Sequence, residues 1–197
     1  MTQNATIEIQ ARPIKGLEAT GAHHLFIIYK DSQGQKTILR GGPERDGLMP
    51  MGIDDIRIIR APYVKEYEHL FPNDLIEKAP SVVIAKGTDA ETKIYIDKMW
   101  AKAEEINSQG FDYKLPTPFC KADVCHVQNS NTVIRALVEY ADLEFKLPQI
   151  DGKDVWVPGV DGEFKHTSID DVMHKIWAFN TSLQERIIEN YYREIMI

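Results

Sequence analysis

Two stretches of this chain carry residue types able to do acyl-transfer chemistry. Ala22-His23-His24-Leu25-Phe26-Ile27-Ile28-Tyr29 reads as a strand with histidine at its mouth, and Gln128-Asn129-Ser130-Asn131-Thr132-Val133-Ile134 reads as a polar turn opening a helix. A hydroxyl at a helix start sits among free backbone N–H groups and the positive end of the helix dipole, which favour an oxyanion. An alcohol is a poor nucleophile at neutral pH, so Ser130 needs a general base, and His24 or His23 is the candidate. Neighbouring side chains on a strand point to opposite faces, so only one of the two faces the site and the other is expected in solvent. Cys125 is the rival nucleophile, because a thiolate is the better attacking group and His126 or a helix terminus lowers its pKa. Asn129, Asn131 and Arg40 are candidates to orient the histidine or serve the oxyanion; Arg40 is also a candidate to hold a carboxylate or other substrate group.

Each of these has a plainer reading. Asn129-Ser130-Asn131 has the composition of a simple capping turn. A histidine on a strand is commonly structural, and Gly41-Gly42-Pro43 after Arg40 serves as a turn. Cys120, between Phe119 and Lys121, reads as a small hydrophobe. Cys120, Cys125 and His126 match no common zinc spacing and lack a fourth ligand, so neither metal nor cofactor is expected. His69, His166 and His174 are expected in solvent.

The elements that must hold these groups follow from periodicity. Thr6 to Arg12 alternates apolar and polar residues, a half-buried strand ended by Pro13. Leu25 to Tyr29 is a central strand, Asp31 to Gln35 a hairpin turn, and Lys36 to Arg40 the returning strand, broken by Gly41-Gly42-Pro43. Ile53 to Ala61 is a further strand and Val82 to Lys86 a short buried one. Asp89 to Ser108 has helical spacing through Ile94, Met99, Trp100, Ala103 and Ile106, with Thr88 or Asp89 as N-cap and Gly110 as stop. Tyr113 to Phe119 is extended, and Thr132 to Tyr140 forms a second helix capped by Asn129 or Asn131. A loop follows, from Leu147-Pro148 to Pro158-Gly159, and Ser168 to Ile197 carries a long amphipathic helix. The sum is an α+β fold with a mainly antiparallel sheet, helices inserted, and the C-terminal helix appended.

With 197 residues and a net charge of −7, the chain can bury a core and lacks the basic stripe that nucleic acid requires. No apolar run approaches the roughly 20 residues of a membrane span. The first residues lack the basic and apolar regions of a signal peptide, so a cytoplasmic protein is expected, or one exported without a cleavable signal. Two cysteines fit no disulfide framework, as in a reducing compartment.

The stretches Ala11-Arg12-Pro13-Ile14, His24-Leu25-Phe26-Ile27 and Asn129-Ser130-Asn131-Thr132, followed by Pro148 and Pro158-Gly159, resemble the circularly permuted papain-like hydrolases. These are the NlpC and lecithin-retinol acyltransferase branch. The resemblance covers roughly residues 6 to 160, implying a papain-like domain over 1–160 and a helical extension over 161–197. There a histidine strand precedes a nucleophile helix, so His24 stands where the base belongs and Ser130 where a cysteine is usual. The serine implies a serine hydrolase, an inactive relative, or a site in which Cys125 has taken over. By the same resemblance the substrates are peptide or other amide bonds, or lipid esters, and several small bacterial members are effectors. The alternative is a non-catalytic protein that binds a partner, or a second copy, through the C-terminal helix.

Overall fold

The computed structural model describes residues 4–14, 18–43, 51–63, 79–114 and 127–165. Within them a six-stranded antiparallel sheet runs in the order β5-β1-β2-β3-β4-β6. Its strands are β1 (Ala5–Pro13), β2 (His23–Lys30), β3 (Lys36–Pro43), β4 (Met51–Pro62), β5 (Ser81–Gly87) and β6 (Asp112–Lys114). Two helices, α1 (Asp89–Gln109) and α2 (Ser130–Tyr140), and a small hairpin of β7 (Gln149–Ile150) and β8 (Lys153–Asp154) complete the described α+β unit.

Alternation along the strands sorts the sheet into two faces. Ile7, Ile9, Leu25, Ile27, Leu39 and Ile58 belong to the main core, together with Ile96, Met99, Ala103 and Ile106 of α1 and Val133, Ile134, Leu137 and Val138 of α2. Phe26, Ile28 and Ile38 form a second cluster, with Ala61 and Tyr63 against it. Residues two apart on a strand share a face, so His24 and Arg40 go with Phe26 and Ile38, opposite the helices.

Helix α1 starts as its sequence dictates. Thr88 and Glu91 form a reciprocal capping box, and Gly110 ends the helix in the left-handed conformation at φ 61°. Its buried stripe runs Thr92, Ile96, Met99, Ala103, Ile106. Ile94, expected on that stripe, is 59% exposed, because the inward face passes through Ile96.

Three other expectations are corrected. The strand carrying Arg40 is not broken at Gly41-Gly42-Pro43; β3 stays paired with β4 as far as Pro43↔Ile56. A Cβ on Gly41 would lie 2.9 Å from Val133 Cγ2, so this glycine allows α2 to approach the sheet. Among the described residues the strand at Val82 to Lys86 pairs only with β1, at the edge of the sheet, and Val83 is 48% exposed. The loop after Leu147 contains the β7–β8 hairpin. Ser168 to Ile197 lies outside the described residues, as does Pro116 to Phe119.

Candidate active site

The site forms where β2 and β3 part. Their pairing runs from Lys30↔Lys36 only to Ile27↔Leu39, while β1 stays with β2 as far as Pro13↔His23. The edge of β2 over His23–Leu25 therefore presents backbone groups that no strand among the described residues satisfies. The Asn131 side chain fills the place of a ladder partner: its Oδ1 accepts from Leu25 N–H at 2.9 Å, and its Nδ2 donates to His23 C=O at 3.1 Å. The N–H of His23 donates to the carbonyl of Trp156 at 2.9 Å. Buried backbone groups need such partners, and here the partners tie the start of α2 to both flanks of His24.

The N-terminus of α2 is itself tightly specified. Asn129 is the cap, its side chain accepting from the N–H groups of Asn131 (2.8 Å) and Thr132 (3.4 Å). Its Nδ2 donates to Pro158 C=O at 3.1 Å, and Thr132 Oγ1 donates to Gly159 C=O at 2.6 Å. Gly159 has φ +81°, and a Cβ there would lie 2.3 Å from Asn129 Nδ2, so both backbone conformation and space demand glycine. The helix therefore begins at Ser130, two residues earlier than its apolar pattern indicates.

Ser130 is 2% exposed, and its Oγ lies 2.5 Å from His24 Nδ1 across the gap between β2 and β3. Of the two adjacent histidines, His24 meets the serine. His23 turns the other way, with Nδ1 2.8 Å from Gly21 C=O, and is buried at 8% exposure rather than solvated. Its ring is tied to the preceding turn, which removes it as the base for Ser130.

The surroundings of His24 are cationic and dry. The residue keeps some exposure, but its Nε2 is shut off from solvent and has no hydrogen-bond partner among the described residues. Phe26 packs edge-on at 4.6 Å between ring centroids. Arg12, opposite His24 in the β1–β2 register, sits 4.8 Å over the Phe26 ring and donates to Gln10 (2.8 Å) and to the Tyr63 hydroxyl (3.0 Å). Burial, then the charge of Arg40, then that of Arg12 push the His24 pKa down from 6.5 to about 3. The imidazole is therefore neutral, with its proton on one nitrogen only. If Nδ1 accepts from the serine hydroxyl, Nε2 carries that proton without an acceptor.

Tyr113 is a site residue that the strand pattern gave no reason to choose. It is 6% exposed and lies on β6 against Ser130, where burial raises its pKa and contacts with the Ser130 hydroxyl and backbone N–H oppose that rise. The phenol thus stands at the helix start, where an oxyanion would form. Asn129 and Asn131, candidates for the oxyanion, have their carboxamides committed to backbone and act by positioning. Cys125, Cys120, His126, His69, His166 and His174 lie outside the described residues. Among the described residues no group of three His, Cys, Asp or Glu side chains could hold a metal ion, and no helix is long and apolar enough to cross a membrane.

Beside the site, the segment that receives the α2 cap also lines an open cleft of about 530 Å³, with Val127, Leu147, Val155, Trp156, Pro158 and Val160 in its wall. Trp156, one of these, is 57% exposed. Comparison with known protein families, curated proteins and solved structures finds no match to this chain.

Proposed function

We propose that this chain is an acyl-transfer hydrolase of amide or peptide bonds, with Ser130 as nucleophile and His24 as general base. The 2.5 Å contact between Ser130 Oγ and His24 Nδ1 carries the reading, because it joins a hydroxyl at a helix N-terminus to a neutral imidazole. The fold that goes with it is the permuted papain-like arrangement, in which the histidine strand precedes the nucleophile helix.

In this scheme Ser130 Oγ attacks the substrate carbonyl while its proton passes to Nδ1. The negative charge that develops on the carbonyl oxygen is favoured by the positive end of α2, by the Tyr113 hydroxyl and by the field of Arg40. The imidazolium then gives its proton to the leaving amine. Water repeats the sequence on the acyl-enzyme, returning Oγ–H to the serine. The same cations that oppose an imidazolium stabilise the oxyanion, so proton transfer is tied to carbon–oxygen bond formation and no free imidazolium accumulates.

The test is hydrolysis of a library of blocked peptides and aryl esters by the full chain, its S130A and H24N variants, and a variant with both cysteines replaced. The reading expects S130A to be inactive, H24N to fall by about 10²- to 10⁴-fold, and the cysteine-free protein to keep its rate. Equal rates in wild type and S130A would remove Ser130 as nucleophile.

A second reading rests on a specific observation: His24 Nε2 has no orienting partner among the described residues, and the ring resists protonation. Both suit a site that binds a ligand without turning it over. That reading expects saturable binding by the wild type with no product from any member of the library.

A further inference from the structure

Arg40 stands apart from the other charged residues of the site. It has no hydrogen-bond acceptor and no ion-pair partner among the described residues, although it is partly buried. Its position is set by β3: Ile38 lies two residues before it and belongs to the Phe26 cluster, so Arg40 is on the His24 face of the sheet. The guanidinium folds along the strand over Gly42, where a Cβ would lie 3.9 Å from Nη2 and 4.0 Å from Nε. That direction leads toward the end of the sheet where β2 carries His24, since β3 runs antiparallel from Ile27↔Leu39. Its charge reaches His24, Tyr113 and Arg12 together.

Arg12 lies on the same face, opposite His24, and is engaged with Gln10 and the Tyr63 hydroxyl. A partly buried guanidinium without an acceptor among the described residues, here Arg40 in the field of a second cation, gains from an anion placed beside it. A guanidinium with its donors uncommitted is shaped for two parallel hydrogen bonds to a carboxylate. The protein as a whole is acidic, at −7, so this local positive field also distinguishes the site from the surface around it.

We propose that Arg40 anchors a carboxylate of the ligand beside Ser130, so that the site selects acyl compounds bearing a negative charge near the reacting carbonyl. This rests on the Ser130–His24 site as the place where the ligand binds, but it does not require turnover. The carboxylate is either the C-terminal group of a peptide or the side chain of an acidic residue, and the two are separable by probe.

The experiment is calorimetric titration of the full-length S130A protein, which binds without reacting. The probes are N-acetyl-glutamate α-amide (side-chain carboxylate), N-acetyl-alanine (terminal carboxylate), N-acetyl-glutamine amide (neutral) and inorganic phosphate. At least one carboxylate probe is expected to bind about tenfold or more tightly than the neutral amide, and the probe that does so names the source. R40Q is expected to abolish that gap, and R40K, which keeps the charge but loses the fork, to retain part of it. Circular dichroism of each variant separates loss of binding from loss of fold. If R40Q does not fold, the acid-to-amide gap and its narrowing with added salt decide the matter in S130A itself. Equal binding of acid and amide would overturn the proposal, and so would phosphate binding tighter than either carboxylate. Failure of ester or peptide hydrolysis with the gap intact would overturn the hydrolase reading and leave the anchor standing.

Discussion

The His24 imidazole should make this fold measurably acid-sensitive, by an amount its environment allows one to work out. Burial and the two guanidiniums hold its pKa near 3, against 6.5 in the unfolded chain. Below pH 6.5 the unfolded chain takes up a proton that the folded chain refuses, so His24 contributes stability above that pH and loses it as pH falls toward 3. The slope approaches about 1.4 kcal/mol per pH unit once pH is about a unit below 6.5, so the loss is about 2 kcal/mol between pH 6.5 and 4.5. That is a sizeable part of the 5–15 kcal/mol typical of a folded domain. Carboxylates titrate over the same range, so the measurement must be differential. Urea unfolding of wild type and H24N is followed at pH 7.5, 6.5, 5.5 and 4.5, and the stability difference is plotted against pH. The wild type is expected to lose its advantage progressively below pH 6.5 at about the stated slope, while the difference stays flat above it. High salt should weaken the part due to Arg40 and Arg12 and spare the larger part due to burial. Parallel curves for the two proteins would show that His24 titrates alike folded and unfolded, and would refute the dry, cationic environment argued for it.

Three further outcomes follow from the same geometry. Asn131→Ala removes the partners of Leu25 N–H and His23 C=O and should cost about 2–4 kcal/mol in urea unfolding, with catalysis falling further than stability because both anchors flank His24. Gly41→Ala sets a methyl 2.9 Å from Val133 Cγ2 and should destabilise by about 1–3 kcal/mol, a loss that V133A partly restores in the double variant; additive losses would count against the clash. Tyr113→Phe keeps the ring and deletes the hydroxyl against Ser130. If the phenol serves the oxyanion, kcat falls by about 10-fold or more with KM nearly unchanged, whereas an unchanged kcat would assign it to packing alone.

The sheet and the first helix were legible because their causes are local. Alternation from Thr6 to Arg12 and the apolar run from Leu25 to Tyr29 mark β1 and β2, and the Thr88–Glu91 capping box with Gly110 marks both ends of α1. Sequence pattern and structure part where a neighbour in space changes what a residue means. Gly41 has the look of a breaker, yet it sits mid-strand because Val133 of α2 presses against it. Val82 to Lys86 has the composition of a buried strand but lies at the sheet edge among the described residues, since composition does not reveal how many neighbours a strand has. The Ser130–His24 pair is readable as two residue types able to do chemistry together. Their meeting depends on the carboxamide of Asn131 reaching backbone 106 and 108 residues away, and no local pattern encodes that. The same limit applies to Tyr113, whose alternation on β6 speaks only of a strand.

Activation of Ser130 is read most directly from the intact mass of the protein after exposure to a fluorophosphonate, a reagent that phosphonylates activated serine hydroxyls, followed by peptide mapping. A single adduct on Ser130 is expected, absent in S130A and formed much more slowly in H24N. No adduct on the folded wild type, or one formed equally fast without His24, would contradict an activated serine at this site.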